Sequence, residues 1–281
     1  MSLADPPRPV VVDAVRRALE EDLGPLGDLT ASLIPDGTSV RAILRSRANG
    51  VLAGTACADE ACRQVDERIS VSWQATDGDE IHPGQTVAEV SGPLASVLTA
   101  ERTALNFLCH LSGVATLTRR FVDAAAAGGG HAQVWDTRKT LPGLRALEKA
   151  AVRAGGGVNH RGSLSEFILV KDNHLAGISI AAAVATARRR WPGRTVEVEC
   201  DRLDQVHEAL TAGATMVLLD NMSPAQVSEC VAVVAGRVLV EVSGGITLDT
   251  IGSYSAAGAD LISTSVITQS APAFDLGMDL L

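Results

Sequence analysis

The chain has 281 residues, 46% hydrophobic and 20% charged, with 33 acidic against 24 basic side chains and a formal net charge of -9. That balance describes a globular protein with a sizeable core and excludes a broad nucleic-acid or membrane footprint, so any anion binding must be local. Its five cysteines, Cys57, Cys62, Cys109, Cys200 and Cys230, include no C-x-x-C pair, which argues against a disulfide framework or a zinc site and for a reducing, cytoplasmic setting.

Residues 9–23 carry Val10, Val11, Ala14, Val15, Ala18 and Leu19 at helical spacing and predict an amphipathic helix. These opening residues also lack the charged-then-apolar plan of a secretory signal. No apolar run in the sequence has the length of a membrane-spanning helix. "GPLGDLTASLIPDG" reads as a loop. Short alternating segments follow from 38 to 93, with "TDGDEIHPGQTVAEV" predicting strand, turn, strand around Gly78 and Gly84. Residues 94–127 predict a long helix, which the glycines 128–130 break.

From 131 the rhythm changes. Apolar runs at 132–137, 167–171, 196–200, 216–220, 238–243 and 261–265, with a weaker one at 157–161, alternate with helical patterns at 143–154, 178–190, 203–212, 224–235 and 247–257. Strands alternating with helices of this length form βαβ units and a parallel sheet, and such continuous apolar runs suit strands buried on both faces. Open sheet and closed barrel differ in where polar residues collect. Arg138 and Lys139 follow the first run, Lys171 ends "FILVK", Glu199 lies in "VEVEC", Asp220 ends "MVLLD", and Glu241 and Ser243 end "VLVEVS". In a barrel these C-terminal ends converge on one mouth, where such barrels place their sites. The pattern therefore predicts an α/β protein with a smaller N-terminal α+β domain and an incomplete parallel α/β barrel of about seven strands.

The strand ends sort by sign. Arg138, Lys139, Arg161 and Lys171, with His160 beside them, are cationic; Glu199, Asp220 and Glu241 are acidic. Burying either set alone is costly, so the cations call for bound anions, and the acids for a metal ion, ribose hydroxyls or a developing positive charge. "SGGIT", Ser243 to Thr247, follows a strand and opens a helix, a place where backbone N–H groups can hold a phosphate. Arg145, Lys149 and Arg153 recur every four residues and read as a helix face, solvated or subunit-facing. His82, His131, His207 and the cysteines read as ordinary structural residues.

"LTAERTALNFLCHLSGVATLT", "DTRKTLPGLRALEKAAVRAGGGVNHR", "LVKDNHLAG", "VEVECD", "LLDN" and "EVSGG" follow, in order and spacing, a known pattern. They resemble the quinolinate phosphoribosyltransferases, and the resemblance spans essentially the whole chain. It implies a Mg²⁺-dependent transferase that makes nicotinate mononucleotide, CO₂ and pyrophosphate from quinolinate and phosphoribosyl pyrophosphate in NAD biosynthesis. It implies an N-terminal sandwich domain over 1–112, a barrel over 113–271 and a tail, 272–281, against the first domain. It also implies a homodimer, or a hexamer of dimers, with Arg102 reaching across the interface to quinolinate. By matched motif, Thr137, Arg138, His160, Arg161 and Lys171 line the quinolinate pocket. Lys139 meets the reacting groups, Glu199 and Asp220 serve ribose and metal, and Ser243, Gly244, Gly245, Thr264, Ser265 and Val266 hold the 5′-phosphate.

Two positions depart from the family pattern. Ser265 stands where glycine is usual, and Gln269 where histidine is usual, both at the expected 5′-phosphate site. These departures leave two alternatives: a paralogue acting on another aromatic carboxylate, or a non-catalytic anion-binding protein of the same fold.

Overall fold

The computed structural model describes residues 5–281. They divide into two compact units. One comprises residues 5–119, 140–156 and 267–281; the other comprises 120–139 and 157–266.

The first unit is built on a four-stranded antiparallel sheet in the order Leu276–Leu280, Ser39–Ser46, Thr86–Pro93, Ser70–Trp73. The C-terminal strand lies along Ser39–Ser46, with Ala42 opposite Leu280 and Ser46 opposite Leu276. The strands on either side of the His82–Gln85 turn do not pair with each other. Glu80–Ile81 joins Gly50–Val51, whereas Thr86–Pro93 joins the larger sheet. The reason is Ser46, which takes the turn's backbone for itself: Gly84 N–H donates to its carbonyl at 2.8 Å and its own N–H donates to Gln85 at 2.9 Å. Helix Arg8–Leu23 matches the sequence pattern and buries Val11, Ala14, Val15 and Leu19. Helix Thr55–Val65 falls within the stretch expected to hold short alternating segments. Asp77 starts it by accepting the N–H groups of Gly54 and Thr55 at 3.0 and 3.1 Å, a cap supplied from 22 residues away that local pattern does not reveal.

Lys149, on helix Arg145–Ala154, is only 6% exposed, and Arg145 and Arg153 are half-buried. The solvated-face reading of these cations is therefore corrected. Arg145 Nε donates to Thr140 Oγ1 at 3.2 Å, and Arg153 donates to the backbone carbonyls of Lys149 and Asp5, each at 3.3 Å. These side chains hold the backbone around them.

In the second unit, six parallel strands run in the order Gln133–Trp135, Leu261–Ser263, Leu239–Ser243, Met216–Asp220, Val196–Cys200, Ile168–Val170. The earliest strand thus lies beside the latest, with Ile262 opposite Val134 and Ser263 opposite Trp135, as a sheet curling into a barrel requires. The weak run at 157–161 contributes a single parallel bridge, Val158 to Trp135. Among the described residues no ladder joins it to Ile168–Val170, and the barrel stays open there. Helices Ile180–Arg190, Leu203–Ala212, Pro224–Val234 and Leu248–Ala256 each follow a strand, and each packs on the next. Ser179 and Ser223 cap two of them by accepting backbone N–H groups, with Pro224 at the first turn of its helix. The glycines at 128–130 do more than end the long helix Leu94–Ala127. A Cβ on Gly128 would come within 2.1 Å of the Gly252 carbonyl, so glycine lets the chain pass against helix Leu248–Ala256.

All five cysteines are unpaired, four of them buried. No helix among the described residues is long and apolar enough to cross a membrane.

Candidate active site

The barrel's strands end in a cavity of about 190 Å³ lined by Thr137, Arg138, Lys139, His160, Arg161, Lys171 and Ser243 with Leu169, Leu218, Glu241 and Ser263. Eight of the residues singled out in the sequence, Glu241 among them, thus meet in one place. Thr137 shapes the first loop by accepting the Lys139 N–H at 3.0 Å. Asp136, wholly buried, pins the edge segment: its Oδ1 accepts the His160 N–H at 2.9 Å and its Oδ2 accepts Asn159 Nδ2 at 2.7 Å. Arg161 is 7% exposed, donates to the Phe167 carbonyl at 3.1 Å and lies 5.6 Å from that ring's centre. Burial, and then the nearby Arg138 charge, pull its pKa below the usual arginine value.

Glu199 and Asp220 end neighbouring strands, Val196–Cys200 and Met216–Asp220. Lys171 and Glu199 form an ion pair. Burial raises the Asp220 pKa and Glu199 raises it further, while Lys171 and Lys139 oppose them. The two acids and two lysines thus form one electrostatic group. The corner above them depends on Gly244, whose φ is +97° and whose Cβ would lie 2.3 Å from Asn221 Oδ1. Asn221 in turn donates its backbone N–H to the Ser243 carbonyl at 3.0 Å, locking two strand ends together.

Gly245 follows at φ +61°, ahead of helix Leu248–Ala256. Thr250 Oγ1 accepts the Thr247 N–H at 3.0 Å, so the helix end is served from within and the Gly244–Gly245 turn is the open part of this loop. Thr264, Ser265 and Val266 follow strand Leu261–Ser263, with the Val266 N–H donating to Thr264 Oγ1 at 3.3 Å. Among the described residues only Asn221 and Ala235 are non-glycines with positive φ. Ser265 therefore does not need the backbone freedom of the glycine it replaces. Arg102 lies in the first unit, exposed on helix Leu94–Ala127.

Below the cavity are two acids of which the sequence pattern marked only one. Glu197 and Glu241 are both completely buried, and His160 Nε2 lies 3.5 and 3.4 Å from their carboxylates. Burial works against a charged His160, but the two glutamates outweigh it and raise its pKa to about 9. Burial raises Glu197 to about 8, while Glu241, though burial pushes it up as well, is drawn down by His160. Glu197 was detectable: two residues before Glu199 on the same strand, it faces the same way, one layer deeper.

The comparisons agree with this geometry. Residues 28–112 match the N-terminal domain of quinolinate phosphoribosyl transferase and residues 114–279 match its C-terminal domain. The chain belongs to the quinolinate phosphoribosyltransferase family. It is 41% identical over 278 residues to the nicotinate-nucleotide pyrophosphorylase [carboxylating] of Mycobacterium leprae, covering 95% of this chain and 96% of that one. A probable enzyme of the same name from Bacillus subtilis is 38% identical over 262 residues, covering 92% and 90%. The solved nicotinate-nucleotide pyrophosphorylase of Francisella tularensis superposes with a TM-score of 0.94 at 37% identity, covering 100% of this chain and 99% of that one. The fold of the family is thus present here, and this chain's cations and acids gather at its strand ends.

Proposed function

We infer that this protein is a quinolinate phosphoribosyltransferase. It joins quinolinate to the ribose of phosphoribosyl pyrophosphate and releases pyrophosphate and CO₂ to give nicotinate mononucleotide, a step of NAD biosynthesis. The observation that carries this reading is the small cavity lined by Arg138, Lys139, His160, Arg161 and Lys171 in a chain that is otherwise acidic. At about 190 Å³ it is smaller than the roughly 300–1,000 Å³ of pockets for drug-sized ligands and suits one planar diacid. The bulkier donor then lies outside it, across the strand ends of Glu199, Asp220 and Ser243.

In this reading Arg138, Arg161, His160 and Lys171 grip the acceptor's two carboxylates, arginine in paired hydrogen bonds and lysine as a point charge. Thr137 sets the loop that carries Arg138 and Lys139. Lys139 faces the departing pyrophosphate. Ser243, Gly244, Gly245, Thr264, Ser265 and Val266 take the 5′-phosphate through backbone N–H groups and hydroxyls. As the bond from the anomeric carbon to pyrophosphate breaks, positive charge grows on the ribose, and Glu199 and Asp220 stabilise it. The ring nitrogen bonds to that carbon and becomes a pyridinium. The bond to the 2-carboxylate then breaks, its electron pair stays on that ring carbon beside the positive nitrogen, and a solvent proton adds there. Positioning and charge complementarity supply most of the rate. Because Lys171 is paired with Glu199 before ligands arrive, the acceptor must draw Lys171 away, which frees Glu199 for the donor.

Glu199 and Asp220 offer hard oxygen donors at adjacent strand ends, which suits Mg²⁺, an ion that keeps several waters and shares substrate phosphates. Bound there with pyrophosphate, it would neutralise leaving-group charge. Arg102, exposed in the first unit, is suited to complete a second copy's pocket in a homodimer or a hexamer of dimers. The unpaired cysteines support a cytoplasmic setting. Retention of both Glu199 and Asp220 counts against a non-catalytic anion-binding role.

The test is direct. Mixed with quinolinate, phosphoribosyl pyrophosphate and Mg²⁺, the protein is expected to release nicotinate mononucleotide, measured chromatographically. Absence of product from folded protein at high concentration would overturn the reading.

A further inference from the structure

Glu197 and Glu241 have no part in the reaction as described, yet two completely buried carboxylates need a physical justification. They come from different strands, Val196–Cys200 and Leu239–Ser243. Each lies two residues before a strand-end residue at the mouth, Glu199 and Ser243, and so roughly 6.5 Å deeper along the same face. No hydrogen bond of ordinary geometry reaches any of their four oxygens. The polar groups nearest to Glu241 are His160, Glu197 and Ser263. What the two acids share is His160 Nε2, at 3.5 and 3.4 Å.

The His160 ring is fixed on its other sides. Trp135 meets it edge-on with centroids 5.2 Å apart, Phe167 lies at 4.9 Å, and Asp136 holds its backbone N–H at 2.9 Å. The other charged groups around it are cations of the same pocket: Arg161 on its own segment, Arg138 and Lys139 after strand Gln133–Trp135, and Lys171 after strand Ile168–Val170. The negative charge of Glu241 beneath the ring and the positive charges beside it leave the imidazole as the one group that touches both acids and also lines the cavity. The three ligating atoms also lie within 4.8 Å of one another, a spacing a divalent metal can use. The neighbouring Arg161 and Arg138 charges oppose a metal there, and a proton on Nε2 meets the same need.

We propose that Glu197 and Glu241 are positioning residues that clasp the Nε2–H of His160 from two strands and keep the ring an imidazolium ion facing the acceptor's carboxylate. The inference rests on the reading of the cavity as the quinolinate site. The raised pKa of His160, about 9, agrees with the geometry. The acids thereby let a histidine act as a permanent cation at neutral pH, with a flat ring that fits where a third arginine would crowd.

The experiment follows His160 in the full-length enzyme by long-range proton–nitrogen spectra of the histidine rings, its signal assigned by its loss in His160→Asn. The ring is expected to stay doubly protonated through pH 8 in the unaltered protein. In the Glu197→Gln/Glu241→Gln double variant it is expected to titrate near the ordinary histidine value of about 6.5. A ring of that pKa is about one-tenth protonated one unit higher, so the variant's Kd for quinolinate, by calorimetry without donor, should rise about tenfold between pH 6 and 7.5. The unaltered protein should show a flat profile, and so should the double variant once His160→Asn is added. If the double variant does not fold, Glu241→Gln alone is expected to lower the His160 pKa. A His160 that titrates near 6.5 in the unaltered protein, or whose titration the variants leave unmoved, overturns the proposal. So does stoichiometric Zn²⁺ displacing the Nε2 proton. If the unaltered protein binds no quinolinate, the acceptor assignment fails, while the spectra still decide what holds His160.

Discussion

Among the described residues, two arrangements of histidine with buried glutamate are built differently. In the first unit, Glu148 is completely buried, and its oxygens are well served: His110 Nε2 at 2.9 Å and the Leu141 N–H at 3.3 and 3.4 Å. In the barrel, Glu197 and Glu241 are as deeply buried, but no hydrogen bond of ordinary geometry reaches their oxygens, and they share the looser approach of one imidazole. A satisfied carboxylate fastens a loop to a helix. Two under-served carboxylates hold a charge in place. The difference separates scaffold from site more sharply than burial does, because burial is the same in both.

The comparison can be broken in several ways. The largest effect should come from the cations that the barrel acids balance: Arg138→Ala is expected to weaken quinolinate binding by about 2–5 kcal/mol, since a desolvated carboxylate loses its partner. Calorimetry that finds an unchanged Kd would remove Arg138 from the pocket. Next, Glu148→Ala should lower unfolding stability by about 2–3 kcal/mol in urea titration, because the Leu141 N–H and His110 lose their acceptor. Glu241→Gln should cost less than about 1 kcal/mol there, since relieving a crowded acid offsets the lost ion pair. Equal losses from the two variants would erase the distinction.

The third prediction concerns pH. His160 is raised in the folded state from 6.5 to about 9, so its ion pairing stabilises fully below pH 6.5 and is lost as pH rises toward 9. Glu197, raised from 4.5 to about 8, adds a loss in the same direction from pH 4.5 upward. Urea midpoints measured from pH 6 to 9 should therefore fall, and less steeply in His160→Asn. The smallest effect is expected from Gln269→His, which restores the residue usual in the family pattern: a lowering of the donor KM by roughly threefold or less through one added charge-assisted hydrogen bond. An unchanged KM would place that position outside donor binding.

Much of this was legible in the sequence, and for stated reasons. Six of the apolar runs became strands because parallel strands buried on both faces must be continuously apolar, and their polar ends met because barrels converge. The run at 157–161 gave only a bridge: it is short, glycine-led and held by Asp136 rather than by a ladder. The solvated reading of Arg145, Lys149 and Arg153 misled, because charge at helical spacing does not say which way a helix is turned; Lys149 is buried, and the two arginines serve Thr140 and backbone carbonyls. Glu197 went unmarked because a buried acid looks like any other until its partner, 37 residues away, is known to be His160.

The pairing of strand Gln133–Trp135 with strand Leu261–Ser263 has a consequence for how the protein is made. Chains are synthesised from the N-terminus, and a pairing that spans more than a hundred residues forms late and slowly. Arg138 and Lys139 leave the ribosome early, but the wall that Ser263 contributes arrives late. A cluster of cations stays exposed in the interim, open to any polyanion nearby. The nascent barrel therefore has most reason to need a chaperone, or its own substrates, in the moments before its last strand docks.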